Sequence, residues 1–368
     1  MQEIARIGAF NRNHGTAGEA GWQGIGTVHH LHMDPRDVLA KGRRVGYAAM
    51  MERILFITST RIGDAVINSG VLDHLVRTRS NARFTIACGK LAQPILEHTP
   101  RLDQIIVVNK KPLGLHWLGL WRRVAGTKWD LVVDMRGSAI AALLRADVRK
   151  TLRSTKIPMH KVREAAGVMR LDPPPPPKIH VPEDAESRAA KLFPSNRDVL
   201  AVCPSASWPF KMWPGDRFGE LVKRLVSPGG PMAGALVVIF GGPGDEVHAK
   251  PIHEALPDAG VFDLTGKLYL TDVAACLSRA RLFVGNDSGV MHIAAAMGTP
   301  TLGLFGPSDE RLYGPYGEQC AIVRGPRNFD TIQNETPNWK SHPSSLLMDL
   351  STDTAFEAAS RLLERTQK

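Results

Sequence analysis

From residue 53 onward, short continuous apolar runs alternate with stretches whose apolar positions recur every three to four residues. "RILFIT" (53–58), "RFTIAC" (83–88), "QIIVVN" (104–109) and "DLVVDM" (130–135) have strand length. Their near-unbroken apolar character is that of strands covered on both faces. Helical spacing appears between them at 65–79, 91–98 and 115–125. A run of prolines, "DPPPPP" (172–177), then interrupts; it is stiff and continues neither a helix nor a central strand. After it the rhythm restarts, with strands at "VLAVCP" (199–204), "ALVVIF" (235–240), "VFDLT" (261–265), "RLFVG" (281–285) and "TLGLFG" (301–306). Helices are expected at 214–225, 246–256, 271–279 and 289–297, and a closing helix at 353–364 is free to pack on either half. The pattern predicts an α/β protein of two doubly wound parallel-sheet domains, 51–178 and 179–368, facing across a cleft.

Residues 1–50 lack either period. "NRNHGTAGEAGWQGIGTVHH" (11–30) is rich in Gly and His and reads as a disordered leader or a mis-called start, with Met50 or Met51 opening the regular pattern.

Charge divides the chain. Residues 51–178 carry 22 basic and 10 acidic side chains, whereas 179–368 carry 18 basic and 22 acidic. A positive field on the first half favours an anionic partner. Four scattered cysteines without a C-x-x-C fit a reducing compartment and no metal or disulfide framework. No run approaches the ~18 apolar residues of a membrane span, and no nucleic-acid-binding module appears. "LHWLGLWRR" (115–123) sets Trp117 and Trp121 among arginines; the tryptophans are expected in the core, with insertion at a lipid interface as the alternative.

Polar chemistry gathers where strands end. In "TSTRIGDAVINSG" (58–70), Asp64 is either a helix cap or a carboxylate facing the cleft as general base. No G-x-G-x-x-G follows this strand, which argues against a dinucleotide site. In "CPSASWPFKMWP" (203–214), Ser205, Ser207 and Lys211 suit a phosphate, while Trp208 and Trp213 are expected to pack. "FGGPGDE" (240–246) is a turn with Asp245 or Glu246 at a helix start. In "VGNDSGVMHIAAAMG" (284–298), Ser288 can cap a buried helix whose N-terminus is an anion site, with His292 one turn in. His292 is equally readable as a core histidine. One His and one Asp are too few ligands for a zinc site, and no metal is expected.

These motifs, taken with "LTGK" (264–267) and "NDSGVMHIAAAMGTPTLGLFGPSD" (286–309), resemble the glycosyltransferase family 9 heptosyltransferases, which build the inner core of lipopolysaccharide. The likeness spans about Arg53 to Ala359. It implies a GT-B fold of two Rossmann-like domains, the first binding an acceptor and the second a nucleotide sugar. It implies inverting, metal-independent transfer of a heptose from an ADP-activated donor to an anionic lipopolysaccharide-core acceptor, with no further cofactor. Asp64 falls on the general base and Lys211, with Ser207, on the donor-phosphate group. Asp287, Ser288, Gly289 and His292 fall on the donor motif, Leu268 near the adenine and Glu246 near the ribose. Arg61 and Arg136 are the acceptor-binding candidates. A cytoplasmic protein with peripheral membrane contact follows from such an acceptor. The alternatives are a GT-B transferase of another sugar or acceptor and an inactive nucleotide-sugar-binding protein.

Overall fold

The computed structural model describes residues 51–367, apart from 111, 154, 156, 194, 195, 258 and 259. The expected leader, 1–50, lies outside the described residues.

Two all-parallel sheets form. The first has the order β3-β2-β1-β4-β5, from β1 (Glu52–Ile57), β2 (Ala82–Cys88), β3 (Leu102–Val107), β4 (Trp129–Asp134) and β5 (Ala146–Thr151). The second has the order β11-β10-β9-β6-β7-β8. Its strands are β6 (Val199–Cys203), β7 (Leu236–Ile239), β8 (Val261–Asp263), β9 (Leu282–Asn286), β10 (Thr301–Phe305) and β11 (Cys320–Arg324). In each sheet the strand order reverses beside the first strand, between β1 and β4 and between β6 and β9.

The apolar runs are continuous because both faces of each sheet are covered. Along β1, Ile54 and Phe56 join the core that holds Ala65, Val66 and Leu72 of helix α1 (Ile62–Thr78). Leu55 and Ile57 point the other way, into a core with Leu120 and Val124 of helix α2 (Leu115–Val124). Burying each such side chain contributes ~1.5–3 kcal/mol. Along β6, Ala201 and Cys203 face the first of these cores. Leu200 and Val202 face a third core, with Phe218, Leu221 and Leu225 of a helix over Gly215–Val226. The core under Ile54 thus runs from one sheet to the other.

Several elements differ from the sequence reading. Residues 91–98 give only one 3-10 turn, Gln93–Ile95, started by a proline. β5 escapes the apolar pattern because it is an edge strand, "ADVRKT", and edges are commonly guarded by Lys and Arg. The proline run lies across α1: a Cβ on Gly70 would stand 2.5 Å from the Pro175 carbonyl oxygen, and the Lys178 amide donates to Ser69 Oγ at 2.9 Å. The closing helix, Thr352–Arg365, packs on the second sheet, because its Ala355, Ala359, Leu362 and Leu363 complete the core under β6. Trp213 is buried as expected, whereas Trp121 is not.

Candidate active site

In open parallel sheets, ligands bind outside the carboxyl ends of the strands where the strand order reverses. Both reversal points of this chain carry the polar loops. Asp64 follows β1 and Arg136 follows β4; Lys211 follows β6 and Asp287 follows β9.

In the second sheet, Lys211 is fixed on both sides. Phe210 is buried with Ile332 and Leu346, and its carbonyl accepts the Leu346 amide at 3.1 Å. Trp213 is buried and donates its indole N–H to the Leu350 carbonyl at 3.0 Å. Between these anchors, Lys211 Nζ donates to Asp287 Oδ2 at 2.5 Å. Asn286 ties the two loops together: its Oδ1 accepts the Trp213 amide at 3.0 Å, and its Nδ2 donates to the Pro204 carbonyl at 2.7 Å. Asn286 is fully buried, so losing it would leave two buried groups unpaired, at ~1–3 kcal/mol each. Ser288 then caps the helix Gly289–Ala296, its hydroxyl accepting the Met291 amide. The amides of that first turn, with the positive end of the helix dipole, favour an anion.

In the first sheet, Arg61 occupies the N-cap of α1 and Asp64 lies in the first turn. No side chain caps this helix, so Asp64 does not serve the structural role open to it. It makes no hydrogen bond or ion pair among the described residues. Burial pushes its carboxyl pKa above the usual range; Arg61, Arg136 and Lys161 pull it down and Asp287 adds to the rise. Arg136 is aimed by the buried Asp134, whose carboxylate accepts the Arg136 and Ser138 amides, each at 2.8 Å. The Arg136 guanidinium lies 5.4 Å from the centre of the Trp117 ring.

The two halves meet at their helix N-termini. A Cβ on Gly63 would come within 2.9 Å of His292 Cδ2, and one on Gly289 within 2.9 Å of the Ile62 side chain. Only glycines allow this approach. His292 is buried, and burial pushes its pKa down to about 4, with His160 and Lys211 adding and Asp287 opposing. The imidazole therefore sits neutral against α1. His160 and Lys161, which precede the proline run, also reach this junction. The His160 ring pairs through Nε2 with the Gly314 carbonyl at 2.9 Å. Lys161 Nζ pairs with Glu164 at 2.5 Å and acts electrostatically on Asp64. Tyr313 has its hydroxyl pKa raised by burial and then by Asp64. Nothing local in the sequence marks a linker lysine such as Lys161 as facing a strand end some hundred residues earlier.

The remaining candidates line the same edge of the second sheet. Ser207 is exposed on the loop before Lys211, and no described residue bonds its hydroxyl. Glu246 is exposed at the start of a helix over Glu246–Ala255, and a Cβ on Gly266 would stand 3.1 Å from its Oε1. Asp245 turns back to accept the Gly242 amide at 2.9 Å rather than capping that helix. Leu268 is partly buried against the core. Among the described residues, no three His, Cys, Asp or Glu side chains cluster in a way that would hold a metal.

The family model of glycosyltransferase family 9 (heptosyltransferase) matches residues 159–340. Lipopolysaccharide heptosyltransferase 2 of Salmonella typhimurium is 30% identical over 352 residues, covering 84% of this chain and 98% of that protein. The chain belongs to glycosyltransferase family 9. As a family 9 enzyme it is a glycosyltransferase, and its two facing parallel-sheet domains are the GT-B fold. A family 9 glycosyltransferase of Veillonella parvula superposes with a TM-score of 0.68 at 21% identity, covering 86% of this chain and 98% of that one. The ADP-heptose lipopolysaccharide heptosyltransferase II of E. coli superposes at 0.66 and 22% identity, covering 85% and 99%. Both likenesses concern the fold.

Proposed function

We propose that the chain is an inverting heptosyltransferase that moves a heptose from ADP-heptose to the inner core of lipopolysaccharide. Residues 51–178 take the acceptor and 179–368 the nucleotide sugar. The observation that carries this reading is Asp64, without a hydrogen bond or ion pair among the described residues, in the first turn of a helix whose Ile62 and Gly63 pack against a second helix N-terminus beside Lys211. The names of the relatives supply the heptose and the lipopolysaccharide.

In the proposed reaction, an acceptor hydroxyl oxygen attacks the anomeric carbon of the donor. The bond from that carbon to the diphosphate breaks, and its electron pair leaves with ADP. The hydroxyl proton passes to Asp64, whose raised pKa makes it a better base than an exposed aspartate. Lys211 and the amides of Ser288–Gly289 stabilise the charge that builds on the diphosphate. Asp287 holds Lys211 until the donor arrives. Ser207 adds a hydroxyl to the phosphates, Leu268 and Glu246 border the nucleoside, and His292 supports the donor loop. Arg61 and Arg136 attract the anionic acceptor. No step needs a metal. The acceptor places the reaction at the cytoplasmic face of the membrane.

Calorimetry with ADP, UDP and GDP, followed by transfer from ADP-heptose, tests the reading. ADP should bind most tightly and its heptose conjugate should turn over. Preference for UDP, or no transfer from ADP-heptose, would overturn it.

A further inference from the structure

The first sheet also carries polar chemistry at its amino end, away from the cleft. β1 and β2 run in register, with Arg53 beside Arg83 and Leu55 beside Thr85. Leu55 belongs to the core under α2. Arg53 and Arg83 lie two residues before Leu55 and Thr85, so they point to that same side. Registered neighbours have backbones ~4.7–4.9 Å apart, and like charges on them repel. Arg123, in the last turn of α2, brings a third cation. All three line one cavity of about 270 Å³. None of the three side chains makes a hydrogen bond or an ion pair among the described residues. Three cations turned on one space repel one another unless an anion joins them.

The rest of the cavity wall is polar by construction. Thr85 lines it while only 5% exposed, and its hydroxyl has no hydrogen-bond partner among the described residues. A buried hydroxyl of that kind is costly unless something pairs with it. The pairing of β2 with β3 passes from Phe84–Leu102 to Thr85–Gln104 and skips Asp103. This bulge lets Asp103 and Gln104 both line the cavity, where consecutive residues of a regular strand would face opposite sides. Three arginines and one aspartate leave two net positive charges, which match the charge of about −2 on a phosphate monoester; a phosphodiester carries only one. An ionised Asp103 can only accept hydrogen bonds, and sugar hydroxyls supply them. The volume is just below the ~300–1,000 Å³ of ordinary small-molecule pockets, which suits one sugar ring with its phosphate.

We infer that Arg53, Arg83 and Arg123, with Thr85, Asp103 and Gln104, form a binding site for a small sugar phosphate monoester. Asp64 follows the opposite, carboxyl end of β1, so this ligand is not a reactant at the cleft. The inference is independent of the donor and the acceptor.

Calorimetry on the full chain tests it, with glucose 6-phosphate, inorganic phosphate, glucose and dimethyl phosphate as probes. Glucose 6-phosphate should bind once per chain, about tenfold or more tighter than glucose or dimethyl phosphate, with inorganic phosphate in between. The pair Arg53→Gln/Arg83→Gln should weaken glucose 6-phosphate about tenfold or more. The near-isosteric Thr85→Val should weaken it about two- to tenfold and, without ligand, melt no lower than the wild type. Asp103→Asn should weaken glucose 6-phosphate relative to inorganic phosphate. Lys211→Met and Arg136→Gln, which lie at the cleft, should leave this binding unchanged. The inference is overturned by the absence of saturable binding, or by wild-type affinity in Arg53→Gln/Arg83→Gln or Thr85→Val. It is equally overturned by loss of binding through Lys211→Met or Arg136→Gln, or by inorganic or dimethyl phosphate binding as tightly as glucose 6-phosphate.

Discussion

Lys211 Nζ lies 2.5 Å from Asp287 Oδ2, so the loops on either side of the second sheet's reversal point are joined by one ion pair. Its side chains are mostly buried, 23% and 10% exposed, where an unpaired charge is costly. A donor diphosphate would compete with Asp287 for the ammonium. Lys211→Met is therefore expected to lower kcat by about 10²–10³, measured as steady-state heptose transfer. Lys211→Arg should restore only part, since a planar fork does not replace a point charge between two fixed aromatic anchors. With the charge carried by Lys211 and a helix end, chelation by EDTA should leave the rate unchanged.

The pH–rate profile should report Asp64. A general base must be ionised, so activity falls as pH drops through its raised pKa. Arg136 lowers that pKa and Asp287 raises it. Arg136→Gln should therefore move the acid limb of kcat/KM to higher pH, and Asp287→Asn should move it to lower pH. Shifts of the same sign would show that another group sets the limb.

Gly63 and Gly289 should tolerate no larger residue. The Cβ of Gly63→Ala meets the buried His292 ring at 2.9 Å, and that of Gly289→Ala meets Ile62 at the same distance. Overpacking of this kind costs about 1–3 kcal/mol. Both variants should lose activity out of proportion to stability, because the collision parts the two helix ends that hold the reactants. Thermal melting and transfer rates on the same samples check this.

Much of this arrangement is legible in the sequence. The central strands appear as apolar runs because they are sandwiched, as Leu55 and Phe56 on opposite faces of β1 illustrate. Asp64, Lys211 and Asp287 stand out because polar residues are unusual at the ends of such runs. β5 is not legible, since an edge strand has one partner and no apolar obligation. Lys161 and His160 are illegible for another reason: they reach Asp64 and His292 only when the proline run folds back along α1 and the halves close together. Trp121 misleads in the opposite direction. Its composition suggests core, yet it stays on the surface.

Asp64 should also weaken the fold it serves. A carboxylate whose folded pKa exceeds its unfolded value contributes stability below the unfolded pKa and loses it as pH rises through the folded one. At neutral pH the ionised, half-buried Asp64 is therefore unfavourable. Asp64→Asn should melt at or above the wild-type temperature near pH 7, with the advantage shrinking toward acid pH. A lower melting temperature at neutral pH would mean that the carboxylate has a structural partner.

The central claim is that Asp64 takes the acceptor proton while the opposite helix end holds the donor. Asp64→Asn measured side by side for transfer from ADP-heptose and for ADP binding tests it most directly. Turnover should fall by about 10²–10⁴ while the dissociation constant for ADP stays near the wild-type value. Near-full transfer by Asp64→Asn, or loss of ADP binding in step with loss of turnover, would contradict it.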